Sequence, residues 1–175
     1  RKHDIRNFSI LKDNSVDVHG DVKLSDKPTS LVKLPLNFNI IEGDFDISNN
    51  ELTSLEGSPK KVTGSFLAHK NEISSLKGGP KEVGGSFVIL HNNITSLEHS
   101  PSLVKEDFIC SHNPLKELDG INTVLGYIFT GVHVPNIKCQ KYIYKGITTY
   151  KYPADFVMKY LDKQYISLTD EEKAF

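Results

Sequence analysis

The sequence predicts an α/β-class repeat solenoid that is mainly β, with a short parallel concave sheet, an extended or 3-10 convex side, and a small helical C-terminal cap. Three observations predict it. A phenylalanine recurs at Phe45, Phe66, Phe87 and Phe108, each 21 residues after the last. The same set of side chains follows every one of them. Proline and glycine then populate the stretch before the next, which opposes a long helix there.

The repeated set is read by counting from each phenylalanine. Two places on stand Ile47, Ala68, Ile89 and Cys110. Alternation of these with the phenylalanines turns one face of a short strand inward. Five places on is asparagine in every copy: Asn50, Asn71, Asn92 and Asn113. Aliphatics follow at seven (Leu52, Ile73, Ile94, Leu115) and leucine at ten (Leu55, Leu76, Leu97, Leu118). Pro59, Pro80 and Pro101 lie at fourteen, with Asn122 in the fourth copy, and Val62, Val83, Val104 and Leu125 at seventeen. One such coil cannot bury its apolar face alone, so the copies must stack. The asparagines are expected to satisfy backbone groups at the corner of each coil, because an amide both donates and accepts. Cys110 takes an inward position and is expected to be a core residue.

This pattern resembles the leucine-rich repeat, L-x-L-x-x-N-x-L followed by x-x-L, with phenylalanine in place of the first leucine. The resemblance is closest to the short repeats of bacterial and phage proteins and covers roughly 43–125. It implies a non-catalytic protein-binding module, with a phage or bacterial accessory or inhibitor protein as the context.

The ends depart from the repeat. Residues 1–19, with Phe8, Ile10, Leu11, Val16 and Val18, are expected to form an N-terminal cap of a strand or two. The solenoid proper is expected over 20–137. Its first copy, from Gly20, is degraded: Val22 and Leu24 replace the strand pair, Lys27 the asparagine and Val32 the leucine. Its last copy sets Ile128 at the phenylalanine place and His133 at the asparagine place. Residues 138–175 form a Tyr-rich, partly helical C-terminal cap by this reading. Phe156, Val157, Tyr160, Leu161 and Gln164 have helical spacing after Pro153, and Thr169 and Glu172 have the spacing of a capping box.

Composition narrows the function classes. The net charge is −1, and arginine occurs only at Arg1 and Arg6. Neither nucleic acid nor a membrane surface is an expected partner. No apolar run reaches the ~18 residues of a membrane span. Two cysteines form no disulfide framework or CxxC metal site, and the expected location is cytoplasmic. No nucleophile elbow, P-loop, zinc-protease, dinucleotide or calcium-loop signature is present, so no catalysis, cofactor or metal is expected. His91 and His112 hold equivalent places one coil apart, without a third ligand, and read as solvated histidines. Some bacterial leucine-rich repeat proteins carry a ubiquitin-ligase domain with a catalytic cysteine. The alternative function is therefore the recognition arm of such an enzyme, its catalytic part lying outside this chain. Only Cys139 stands outside the repeats, and fewer than forty residues follow it.

The outward strand positions carry the functional expectation. One place after each anchor stand Asp46, Leu67, Val88, Ile109 and Phe129. His69 and Leu90 lie two places further along their strands. A solvated position drifts toward polar residues, so successive apolar choices call for a cover. Leu67, His69, Val88, Leu90, Ile109 and Phe129 are the expected partner-binding residues. Three covers remain open: another protein, the chain's own C-terminal segment, or a second copy forming a homodimer.

Overall fold

The structure, a computed structural model, describes residues 5, 7–26, 28–134, 138–144 and 147–154. The chain opens with β1 (Phe8–Ile10), β2 (Val16–Val18), β3 (Val22–Lys23) and β4 (Phe38–Ile41). Paired short strands follow: β5 (Phe45–Asp46), β6 (Lys61–Val62), β7 (Phe66–Leu67), β8 (Glu82–Val83), β9 (Phe87–Val88) and β10 (Leu103–Val104). The last are β11 (Phe108–Ile109), β12 (Thr123–Val124), β13 (Tyr127–Thr130), β14 (Gln140–Tyr144) and β15 (Ile147–Pro153).

These strands form two sheets. The anchor sheet, ordered β14-β15-β13-β11-β9-β7-β5-β3, contains every phenylalanine of the 21-residue repeat. The return sheet is ordered β1-β2-β4-β6-β8-β10-β12. Successive coils pair in parallel in both, so the fold is mainly β, a β-solenoid with almost no helix among the described residues. Of the two forms expected for the return segments, extended backbone is the one present. It makes a second sheet, and no 3-10 turn occurs among the described residues.

The core lies between the sheets. Phe45, Phe66, Phe87 and Phe108 are fully enclosed and form one ring column with centroids 5.2–5.6 Å apart. Phe38 meets Phe45 edge-on at 5.0 Å and extends the column toward the first coil. Facing them from the return sheet are Ile41, Val62, Val83 and Val104. Close-packed aromatic rings bury large areas and gain further from offset contact.

Two positions at the ends correct the reading of the repeat. Leu125 is 66% exposed, and Val124 is the buried residue paired with Val104. Phe108 pairs with Ile128, an interval of 20, so this return segment is one residue short and Val124, not Leu125, takes its inward place. In the first coil Val32 is 63% exposed, while Leu34 is buried and Leu31 packs against the core. Val22 pairs with Phe45, an interval of 23, but Leu31 and Leu34 precede Leu52 and Leu55 by 21. The two extra residues therefore fall between Leu24 and Leu31, before the leucines and not after them.

The asparagine column is internal. Asn71 Oδ1 accepts from Leu52 N at 3.0 Å, and its Nδ2 donates to the carbonyls of Ile47 (2.9 Å) and Ala68 (3.2 Å). Asn50, Asn92 and Asn113 repeat the scheme one coil at a time. Each amide thus joins its own corner to the preceding coil. The residue before each asparagine is left-handed: Asn49 (φ 53°), Lys70 (54°), His91 (54°) and His112 (59°). Outside glycine that conformation costs about 1–2 kcal/mol, most for β-branched residues. Lys70→Gly is expected to stabilise the fold by up to about 1 kcal/mol, and Lys70→Val to destabilise it by a similar amount. Denaturant midpoints check this; a loss from both substitutions would contradict the assignment.

The ends are closed by antiparallel strands. β1 folds back on β2, leaving Phe8 and Ile10 exposed. β15 runs antiparallel to β13 and pairs in turn with β14. Residues 140–153, read as part of a partly helical cap, are thus a β-hairpin where described, and Pro153 closes its second strand. Tyr152 is fully buried, and its hydroxyl accepts from Val134 N at 2.7 Å. The helix expected after Pro153, the Thr169–Glu172 pair and Lys27 lie outside the described residues.

Candidate functional site

Strand pairing sets the outward residues of the anchor sheet in one row: Lys23, Asp46, Leu67, Val88, Ile109, Phe129 and Lys151. Four successive apolar side chains therefore lie side by side, with a charged residue at each end. The hairpin lengthens this sheet; its described residues do not fold back over the row.

Exposure along the row is uneven. Leu67, Ile109 and Phe129 are half-buried, and so is Leu90, which shares the face of Val88. Val88 itself, expected to be open to solvent, is only 8% exposed. It is the middle strand position, with Leu67 and Ile109 paired to its two sides and Leu90 two residues along, and these larger neighbours enclose it. A charge at Val88 would thus be desolvated even in the free protein, which makes Leu67 and Ile109 the informative positions for substitution.

The polar end is internally satisfied. Asp46 accepts from Ser25 Oγ at 2.6 Å and from Ser48 through both Oγ (2.6 Å) and N (3.0 Å). Burial pushes its carboxyl upward, but these hydrogen bonds outweigh it and hold it below the usual carboxylate value. His69 lies in the next coil, opposite Ser48, with its Nδ1 buried and without a partner. Burial holds this imidazole below the ordinary histidine value, against the pull of Asp46. At the other end Lys151 Nζ stands 3.9 Å above the Tyr127 ring and 5.3 Å from the Phe129 ring, within cation–π range.

One set of residues next to the row does other work. Asp21 and Asp44 accept from the amides of Asp44 (2.8 Å) and Ser65 (2.7 Å), each one coil on. Ser65, Ser86 and Asp107 serve the amides of Ser86, Asp107 and Tyr127 in the same way. These residues immediately precede each anchor. They are a second ladder, parallel to the asparagines. The recurrent Gly-Asp or Gly-Ser before the anchor is the signal that could have revealed it. A Cβ at Gly64 or Gly126 would meet Asp44 or Asp107 within 2.4 Å, so the small residue makes room for the acceptor.

The thiols and imidazoles are placed as follows. Cys110 is fully buried in the core, and burial pushes its thiol up to about 12, far from a thiolate at neutral pH. Cys139 is partly buried against the core. His91 and His112 stack with ring centres 4.1 Å apart. Among the described residues no group of three or more His, Cys, Asp or Glu is placed to hold a metal ion. No helix among them is long and apolar enough to cross a membrane. No known protein family, curated protein or solved structure matches this chain.

Proposed function

We propose that this chain is a leucine-rich repeat module that binds another protein on the outer face of the anchor sheet and performs no catalysis of its own. The observation that carries the reading is the row Leu67, Val88, Ile109 and Phe129, widened by Leu90 and bordered by His69. Interface centres are apolar or aromatic, enclosed and rimmed by polar groups. The row has that composition, with Asp46 and Lys151 at its two ends. A phage or bacterial accessory or inhibitor protein in the cytoplasm is the context we favour, where Cys110 and Cys139 would stay reduced.

The test substitutes at the row without touching the core. Leu67→Asp and Ile109→Asp should shift the melting temperature by less than about 5 °C, since both side chains point away from the phenylalanine column. Both should abolish capture of the partner, because a bound surface would desolvate the charge at a cost of several kcal/mol. Intact capture by both variants would remove the row as the binding surface. A large loss of stability with release of the C-terminal segment to proteases would show instead that the chain covers itself. A parent chain that sediments as a dimer, with both variants monomeric, would show a second copy as the cover.

A further inference from the structure

Beside the apolar row, and independent of the binding reading, the fold brings two imidazoles together. His91 and His112 hold the same place in neighbouring coils, each in left-handed backbone at φ 54° and 59°. Asn92 and Asn113, the residues that follow them, are tied by side-chain hydrogen bonds to their own and the preceding coil, so both backbones are held at a fixed separation. The rings stack at 4.1 Å between centres with 38° between planes. His112 turns Nδ1 into the protein, where it is buried and has no hydrogen-bond partner. That leaves Nε2 as its outward nitrogen, and no bond fixes its tautomer.

We propose that His91 and His112 form a two-imidazole clamp for a borderline divalent transition ion of the zinc type, with water completing the coordination shell. Two imidazole nitrogens bound to one tetrahedral zinc at about 2.1 Å each stand about 3.4 Å apart, with their ring centres about 5 Å apart. The rings, now 4.1 Å apart between centres, swing out of their stack about the side-chain bonds to aim both lone pairs at one ion. Imidazole selects zinc, copper and nickel over magnesium and calcium, which prefer oxygen ligands. Lys70 takes the equivalent place in the preceding coil, and its flexible stem lets the ammonium swing clear of a bound cation. Because the backbone presets the pair, the second imidazole binds intramolecularly and should add about 10²-fold to the affinity of one histidine.

Calorimetric titration of the full 175-residue chain with zinc chloride tests this, read together with long-range proton–nitrogen spectra of the imidazoles. One ion should bind, with the His91 and His112 ring signals moving first. His91→Asn and His112→Asn suit left-handed backbone, as Asn49 does at the same place, and should keep the melting temperature. Each should weaken zinc binding by about 10²-fold. His99→Asn, also at a left-handed position (φ 69°), should change nothing. Zinc affinity unchanged in either pair variant would overturn the proposal. So would movement of other histidine signals in their place, or no binding at zinc concentrations of about 1 mM.

Discussion

Phe87→Ala is expected to destabilise the protein by roughly 3–5 kcal/mol, measured by denaturant unfolding. The ring is fully enclosed and stands between Phe66 at 5.3 Å and Phe108 at 5.2 Å. Its removal leaves a cavity between two coils, and the hydrogen-bonded strands on either side resist collapse into it. In this fold a coil is held only by its neighbours, so a cavity weakens the stack on both sides. Phe45 stands nearer the end of the column, where less packing would be lost. Phe38 closes over it edge-on at 5.0 Å, however, so Phe45→Ala should cost a comparable amount. Small losses at both sites would contradict the ring column.

Asn92→Ala should be the largest polar effect. It removes the acceptor of Ile73 N and the donor to the carbonyls of Ala68 and Ile89. Each buried backbone group left without a partner costs about 1–3 kcal/mol, and the residue is itself buried. The expected loss is about 3 kcal/mol, and Asn92→Asp should not restore stability, since a carboxylate cannot donate to those carbonyls. Retained stability with loss of partner capture would mean that the column faces outward.

Particular residues show how far the sequence could be read. The phenylalanine, asparagine and leucine columns were legible because a fixed period of 21 leaves the same environment at each place, and the environment selects the side chain. Asn71 and Asn92 are buried and bonded as their chemistry requires. The register of Val32 and Leu125 was not legible. Both neighbour an insertion or deletion in a segment where two adjacent aliphatics compete, and only pairing with the preceding coil decides between Val124 and Leu125. The return strands β6, β8, β10 and β12 were hidden by their length, two residues each, too short for alternation to register. The hairpin at 140–153 is rich in Tyr, Ile and Thr, a strand signal outweighed by the reading of this segment as a partly helical cap. Of the candidate site, the apolar row was legible by counting. The enclosure of Val88 was not, because it depends on the size of neighbours on three strands.

The most direct test of the binding face uses a photo-crosslinking amino acid at one of two positions. Leu67 lies on the outer face of the anchor sheet and Thr123 on the exposed side of the return sheet. After irradiation with the partner-containing extract, the account predicts a covalent adduct from position 67, competed by excess unlabelled chain, and none from position 123. An adduct from position 123 with none from position 67 would contradict it.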